Sequence, residues 1–465
     1  MKLLPAIFLA GMLAGNVAFS QSELTKNAFV GSAYRDNISY STLNEITTFA
    51  GGRLAGSPAS AVARGILLRK LDSLGIKNFT QSYDFNAWRR DEDHAYLVAP
   101  FKKELRAYAA GYSAACPRKT AEIAVIYGGL DEDYANIDVA GKAILLEPAK
   151  AKRDKSLARR EIVRIASERG AACVLFPNSK KGGMVLMSAP SFNAEQVELP
   201  CFCISAEDRL MIDEQIKSGL KPAIDFEVKS DCFPGKMTNI RAQFAGKSPK
   251  KILLLAHYDS WDVSTGAIDN GSGTAVLLDI ARLIKQYNPE NYFTIECVWT
   301  DAEEIGIIGA KKLAGEISDS VVAVLNMDMP GSPNSINIMG VEAMRDNAEK
   351  FVASLSGYKI KQTADVKPWL GSDHAPFLLK GVPTVTFGGL PDDEVYHHYH
   401  DFGDTFDKAN QKYFSDAATI LGLFALEMAN NPEIDKFRLS RDETKEMLLK
   451  FKLDDQLKKM GEWEF

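Results

Sequence analysis

A short stretch of the chain carries residue types that are suited to metal chemistry. Between residues 253 and 273, an apolar run ends at His257 and is followed by Asp259, Asp262 and Asp269. Such a position, after a predicted strand and before a predicted helix, is where parallel α/β sheets bind their ligands. The stretch therefore predicts a ligand site to which other strand ends must contribute.

Three later segments bring more candidate ligands. Glu303 and Glu304 follow one predicted strand, and Asp328 follows the next. The third segment contains His397, His398 and His400. Five of the six histidines lie at or after position 257, and this clustering favours a metal site over histidines scattered through a core.

The types of ligand predict the type of metal. Imidazole with carboxylate, and without thiolate, suits zinc or a similar divalent ion. Two histidines and three carboxylates exceed the three protein ligands usual for one catalytic zinc, but they fit two ions about 3.5–4 Å apart with a bridging carboxylate. A carboxylate that binds no metal must then accept the proton of the attacking water. We therefore expect two Zn²⁺ ions per chain and one glutamate that acts as a base.

The composition and the amino terminus limit the partners and the location. The formal net charge of −6 argues against a nucleic-acid partner, which would require a basic face. Residues 1–20 have the pattern of a signal peptide, with Lys2, an apolar run from Leu3 to Phe19 and small residues before a cut at Gln21. No later stretch is long and apolar enough to span a bilayer. We expect a protein that is exported to the periplasm or the extracellular space.

Cysteine usage leaves the disulfide state open. The chain has few cysteines for its length, at Cys116, Cys173, Cys201, Cys203, Cys232 and Cys297. The absence of a CxxC pair argues against a thiolate zinc site. Buried free thiols and one structural disulfide stand as equal alternatives.

The alternation of strands and helices predicts the fold. It indicates an α/β chain with a mostly parallel mixed sheet flanked by helices. A chain of 465 residues also predicts more than one domain. Residues 117–233 form a self-contained α/β pattern, which predicts a smaller inserted domain. Residues 21–116 and 234–465 would then form one discontinuous catalytic domain.

Four motifs together resemble the M28 family of zinc metallopeptidases: HYDSWDVSTGAIDNGSG, WTDAEEIGIIGA, LNMD and HDFGDT. The run from Ser260 to Asp269 is especially similar to the carboxypeptidase Q branch. The inserted segment resembles the protease-associated (PA) domain in its runs VAGKAILLE, GAACVLF and LPCFCIS. This resemblance implies the zinc exopeptidase fold with a PA-like insertion, and an enzyme that acts on dipeptides or short peptides.

The resemblance also implies a ligand set. His257 and Asp328 would hold one zinc ion, and Glu304 and His400 would hold the other. Asp269 would bridge the two ions. The family ligand usually stands four residues before an Asp-Thr pair, which selects His400, and His398 is the alternative.

Other residues near the site receive catalytic or supporting roles. By the same resemblance, Glu303 would be the general base that passes a proton from water to the leaving amine. Asp259 would orient the ring of His257, while Asp262 is expected to be a turn residue. His374, in the family-like run SDHAPF, would touch substrate, contact a metal ligand or serve the structure alone.

Two other functions compete with a zinc exopeptidase. A glutaminyl cyclase of the same fold would carry similar motifs, although EEIG followed by IIGA and the inserted segment resemble the peptidases more. A silent binding protein resembling the transferrin-receptor ectodomain would have lost ligands, and no loss is visible. The sequence does not decide which end of a peptide is attacked. A homodimer is expected from the family branch alone.

Overall fold

The structure is a computed structural model that describes residues 26–149, 157–287, 290–389 and 397–465. The predicted signal peptide lies outside these residues. Within them, thirteen strands form one extended sheet. No helix in the described ranges has the length and the hydropathy needed to cross a membrane.

The strands are numbered in chain order. They are β1 Asn78–Ala99, β2 Lys103–Glu104, β3 Ala107–Ala109, β4 Cys116–Tyr127, β5 Ala143–Glu147, β6 Cys173–Pro177, β7 Cys201–Ile204, β8 Ala223–Phe244, β9 Ser248–His257, β10 Phe293–Thr300, β11 Val321–Asn326, β12 Ser335–Asn337 and β13 Thr384–Gly388. The α-helices are 26–35, Ser39–Phe49, Pro58–Ser73, Arg159–Glu168, Ala206–Lys217, Gly273–Tyr287, Ile308–Ile317, Arg345–Ser354, Ala375–Leu378, Gln411–Ala429, Arg441–Lys450 and Asp454–Met460.

One part of the sheet is mostly parallel. β9 lies between β10 and β11 and is parallel to both. β13 continues the parallel arrangement beside β11, whereas β8 and β12 pair antiparallel with β10 and β13. The predicted fold class, a mostly parallel mixed sheet with flanking helices, is confirmed.

The central strand β9 is covered on both faces. Leu253 and Leu255 pack in a buried cluster with Leu313, from the helix after β10. On the opposite face, Leu254 packs in the largest core together with Leu277, from the helix after β9. Burial on both faces explains why the sequence of β9 is a continuous apolar run rather than an alternating one.

Two long strands connect this sheet to a second region. β1 and β8 pair antiparallel from Asn78, opposite Ala242, to Ala99, opposite Ala223. The far half of β8 pairs with β4, and the sheet continues through β5, β6 and β7 to β3. We call residues 100–222, which lie between the two long strands, the insert.

The insert begins earlier in the chain than the predicted domain. Its strands β4 to β7 are parallel neighbours, and β3 pairs antiparallel with β7. β3 therefore shares the sheet although it precedes the predicted boundary at residue 117. Ile123, Leu145 and Phe202 belong to a buried apolar cluster on this sheet. The bounds 117–233 and the PA-like character of the insert stay predictions.

The six cysteines are all free thiols, and only Cys232 among them is partly exposed. Of the two alternatives for the disulfide state, the structure therefore supports buried thiols. Burial raises the pKa of the Cys116 thiol, which makes it less reactive.

Candidate metal centre

The strands that carry the predicted ligands end side by side. Thr300 of β10 pairs with His257 of β9, and Asn326 of β11 pairs with Leu255 of β9. Because these strands are parallel, the residues that follow their carboxyl ends meet at one edge of the sheet. The segments that carry the two glutamates and Asp328 therefore lie beside His257.

A turn before the helix Gly273–Tyr287 brings Asp269 to the same edge. The side chain of Asn270 connects this turn to the segment after β11. Its Nδ2 donates to the carbonyl of Met327 at 2.9 Å, and its Oδ1 accepts from the amide of Met329 at 3.1 Å. The position of Asp269 therefore depends on contacts with another strand end.

His257 defines one half of the centre. Its ring is buried, and its Nε2 lies 3.3 Å from Oδ1 of Asp269 and 3.6 Å from Oδ1 of Asp328. Ligand atoms of His257, Glu303 and Asp328 all lie within 4.8 Å of one another. We call His257 and Asp328 the strand-end half of the centre.

His400 defines the other half. Its Nε2 lies 2.9 Å from Oδ2 of Asp269 and 2.9 Å from Oε2 of Glu304. Asp269 thus presents one carboxylate oxygen to each histidine. We call Glu304 and His400 the loop half, because Glu304 lies in a turn four residues after β10 and His400 lies in a turn that follows no strand directly.

The structure separates the three late histidines. The ring of His398 packs against Gly403, where an added Cβ would come within 2.2 Å of Nδ1. His397 is exposed. Only His400 of the three contacts the carboxylates of the other predicted ligands, as far as the described contacts show.

The two histidines lie in a strongly acidic environment. Burial alone would lower the pKa of His257, but the carboxylates of Glu303, Asp259, Asp269 and Asp328 raise it well above its ordinary value. The same opposition raises the pKa of His400, where burial is outweighed by Glu304 and Asp269. The site therefore favours a positive charge.

The carboxyls of the site are shifted in different directions. Burial raises the pKa of Glu304 to about 7, against the opposing effect of His400. Burial also raises the pKa of Glu303 well above its ordinary range, and the charge of Asp328 adds to this effect. The two histidines overcome burial at Asp269 and lower its pKa. Shifts of this size, in a cluster at a sheet edge, are typical of functional sites.

The donor set fits a divalent metal ion. His257 Nε2 and Glu304 Oε1 are buried and have no hydrogen-bond partner. Buried polar atoms without a partner are rare, and a metal ion bound to these two atoms would satisfy them. Nitrogen and carboxylate oxygen donors, with no thiolate among them, suit zinc.

Two aspartates support the ligands through backbone amides. Asp259 is buried, and its two oxygens accept from the amides of Glu303 and Glu304 at 3.2 and 3.3 Å. Its Oδ1 also lies 3.6 Å from Nδ1 of His257. Asp404 accepts from the amide of Asp269 at 3.0 Å. Contacts of this kind orient metal ligands.

Arg53 is a supporting residue that the sequence patterns did not reveal. Its side chain is fully buried, and it donates to the carbonyls of Tyr258, Thr265 and Gly266. These bonds connect an N-terminal loop to the turn that follows His257. The run GGRLAGSP gave no signal of this role, because arginines in glycine-rich loops are usually exposed.

Tyr399 is a second residue that sequence reasoning missed. Its ring stacks on the ring of His400, with centroids 3.8 Å apart and an angle of 18° between the planes. Burial and the carboxylates of the site raise the pKa of its phenol well above its ordinary value. The phenol therefore stays protonated and can donate a hydrogen bond. An aromatic residue directly before a candidate ligand was the only signal.

Asp262 and His374 lie outside the ligand cluster. Asp262 accepts two hydrogen bonds from Arg90 of β1, at 3.0 and 2.7 Å. Nε2 of His374 lies 2.9 Å from the carbonyl of Trp369, and the buried ring touches the side chain of Asn326. Burial lowers the pKa of His374 to about 4. Among the three interpretations of His374, these contacts favour a structural role.

Comparison with protein families gives one match over the site. Residues 239–425 match the model of Peptidase family M28. This range contains every proposed ligand and Glu303.

Similar proteins extend over most of the chain. Carboxypeptidase Q of Rattus norvegicus is 24% identical over 415 residues, which cover 86% of this chain and 86% of the relative. Aminopeptidase YwaD of Bacillus subtilis is 24% identical over 452 residues, covering 90% and 92%.

Two solved structures share the fold. A Peptidase M28 precursor from Shewanella amazonensis superposes with a TM-score of 0.74 at 24% identity and covers 88% of this chain and 98% of its own. BSAP, a zinc aminopeptidase from Bacillus subtilis, gives a TM-score of 0.64 at 21% identity, covering 87% and 98%.

Proposed function

Because its residues 239–425 place the chain in peptidase family M28, we propose that this metallopeptidase is an exported di-zinc exopeptidase. Its substrates would be dipeptides or the terminal residues of short peptides. The relatives include proteins named as carboxypeptidases and as aminopeptidases, and they support an exopeptidase without deciding which end is attacked.

One observation carries the proposal of two ions. Asp269 lies within 3.3 Å of His257 through one oxygen and within 2.9 Å of His400 through the other. A carboxylate between two histidines, each with a further carboxylate beside it, is the arrangement expected for a pair of metal ions with a shared ligand. His257 and Asp328 would hold the first ion, and Glu304 and His400 the second.

The remaining carboxylate, Glu303, supplies the base. Zinc ions at these ligands would lower the pKa of water and polarise the peptide carbonyl. Glu303 would accept the proton of the attacking water and deliver it to the nitrogen of the leaving amine. Its partial exposure gives it access to substrate, and the raised pKa of its carboxyl favours proton acceptance. The backbone bond to Asp259 holds it in place.

The variant Glu303→Gln tests this assignment. We expect it to bind two zinc ions per chain, while its hydrolysis of dipeptides falls by about 10²- to 10⁴-fold. Metal analysis of the dialysed protein and a dipeptide assay measure the two quantities. The exposed residue Glu446 provides the control variant Glu446→Gln. Full activity of Glu303→Gln would reject the role of Glu303 as base.

Three further measurements separate the competing functions. The complete donor set supports an enzyme over a silent binding protein. If protein purified without a chelator contained no zinc, the binding protein would become the better hypothesis. Release of ammonia from a peptide with an amino-terminal glutamine, without peptide hydrolysis, would identify a cyclase. Dipeptides blocked at one end or the other would show which terminus the enzyme requires.

Export and assembly complete the proposal. The pattern of residues 1–20 supports a signal peptide and hence a location in the periplasm or outside the cell. A PA-like identity of the insert and a homodimer are supported by the family resemblance alone.

A further inference from the structure

We propose that the insert completes the loop half of the metal centre, through a segment that holds His400 in its ligand orientation. This segment, residues 185–192, is called the docking segment. The proposal rests on the proposed function for the ligand role of His400. It extends that function, because it gives the insert a direct part in metal binding.

Met187 and His400 form a reciprocal pair of hydrogen bonds. The amide of Met187 donates to the carbonyl of His400 at 2.9 Å. Nδ1 of His400 lies 2.9 Å from the carbonyl of Met187, to which it donates. Because Nδ1 carries the proton, Nε2 presents its lone pair to the side where Asp269 and Glu304 lie. A backbone carbonyl that fixes the tautomer of a histidine in this way is a common outer partner of metal ligands.

The backbone of His400 requires support of this kind. Its φ angle is 54°, in the left-handed region that non-glycine residues seldom adopt. Such a conformation persists where surrounding contacts hold it. The amide of Met187 binds the carbonyl of this strained residue, and the ring of Tyr399 covers the imidazole.

The residue after His400 strengthens the attachment. Asp401 is fully buried, and one of its oxygens accepts the amide hydrogen of Val185. The other oxygen lies 3.5 Å from Nη2 of Arg106, in the insert. The guanidinium of Arg106 also lies over the ring of Phe402, 4.2 Å from its centroid. The insert therefore contacts three consecutive residues, His400, Asp401 and Phe402.

The far end of the docking segment contacts the turn that carries Glu304, the other ligand of the same half. The carbonyl of Phe192 packs against Gly306, two residues after Glu304, so closely that a Cβ at Gly306 would lie 1.8 Å from that oxygen. Gly306 has a φ of 130°, which favours glycine. The amide of Gly111 donates to the carbonyl of Ser188 and connects the segment to the rest of the insert.

These contacts couple the insert to one of the two ions. The docking segment touches His400 itself and Gly306, two residues after Glu304, whereas no described hydrogen bond joins it to His257 or Asp328. Loss of the contacts should therefore weaken the ion of the loop half and leave the ion of the strand-end half bound. Binding of that ion should in turn stabilise the docked position of the segment, since coupling free energies are reciprocal.

Three variants remove different contacts. Met187→Pro deletes the donated amide hydrogen, Asp401→Ala removes the carboxylate oxygen that accepts from Val185, and Gly306→Ala forces the carbonyl of Phe192 away. Met187→Leu keeps the backbone and the apolar volume and is the matched control. Circular dichroism identifies the variants that fold, and one folded variant of the three is sufficient for the test.

The measurement is zinc affinity, from competition with a chelator of known strength. We expect two binding steps in the wild-type protein and a fall of about 10- to 100-fold in the affinity of one step in the variants. The other step and the Met187→Leu control should not change. In a His400→Ala background, the substitutions at Met187 and Asp401 should weaken neither step further, because these contacts act through His400.

Unchanged affinity at both steps in a folded variant would overturn the proposal, as would equal weakening of both. So would a further loss of affinity in the His400→Ala background when Met187 or Asp401 is also substituted. A wild-type protein that binds fewer than two zinc ions would instead contradict the proposed function. The two failures are therefore distinguishable.

Discussion

The two halves of the metal centre are built differently. The strand-end half places His257 at the end of β9 and Asp328 just after β11, and these strands are hydrogen-bonded neighbours. The loop half places Glu304 four residues after β10 and His400 in a turn that follows no strand directly, and His400 is the one predicted ligand with a positive φ angle. Ligands on strands are positioned by the sheet itself, whereas ligands on loops need separate contacts to hold them.

Because of this difference, the loss of supporting contacts should lower the stability of the fold in one half and the metal affinity in the other. The supports of the strand-end half belong to the core, so their loss should destabilise the whole fold. The supports of the loop half come from the insert, so their loss should weaken one ion with less effect on folding. Asp269 belongs to both halves, because each of its oxygens faces one of the two histidines.

The largest effect on zinc affinity is expected at Asp269, which faces both halves of the site. Asp269→Asn keeps the shape of the side chain but removes the shared negative charge. We expect both zinc-binding steps to weaken by more than the roughly 100-fold that marks the loss of an outer partner. Chelator competition measures both steps. If one step kept its wild-type affinity, Asp269 would be a ligand of a single ion.

Loss of Arg53 should lower stability through the strand-end half. Arg53→Met leaves the carbonyls of Tyr258, Thr265 and Gly266 without their buried donor. Unsatisfied buried acceptors of this kind should cost on the order of 3 kcal/mol of unfolding free energy. Urea unfolding with zinc present measures this loss. The exposed residue Arg69 offers the control Arg69→Met, which should change stability by less than about 0.5 kcal/mol. Equal stability of the two variants would contradict the role of Arg53.

The buried ring of His374 should make stability depend on pH. Its pKa is lowered from 6.5 to about 4, so the native protein keeps the ring neutral while the unfolded chain protonates it. Between these pH values the unfolded state binds more protons, and stability falls as pH falls, by on the order of 3 kcal/mol in total.

The variant His374→Gln removes this contribution. Compared with wild type, it should lose less stability between pH 7 and pH 4.5 in urea unfolding of the metal-free protein. Metal-free protein is required because acid also releases zinc from its ligands. His397→Gln, at an exposed position, is the control and should follow wild type. Identical pH dependence of His374→Gln and wild type would show that this ring does not titrate as expected.

Much of the architecture followed from local patterns. The apolar runs before His257 and Asp328 predicted strands, and the alternation with helices predicted the mostly parallel sheet. The antiparallel pairing of β1 with β8 did not follow, because 123 residues separate Ala99 from Ala223 and no local pattern joins them. The position of β3 in the insert sheet was missed for the same reason.

Candidate ligands could be predicted from residue types. The residues that support them could be found only from contacts in the structure. His257, Asp269, Glu304, Asp328 and His400 were predicted as ligands because imidazoles and carboxylates follow several strands and because their motifs together resemble the M28 family. Arg53 and Met187 were not recognised, since each acts through backbone carbonyls that any sequence provides. The choice between His398 and His400 likewise depended on the direction of each ring.

The amino-acid sequence by itself determined the chemistry that is available: the donor types, their order along the strands, and the adjacent glutamates from which a ligand and a base can be chosen. Only the tertiary structure decided which oxygen of Asp269 faces which histidine, and that the insert reaches His400 through Met187. The physical reason is that residue types limit which bonds can form, whereas distances across 213 residues of chain are decided by packing.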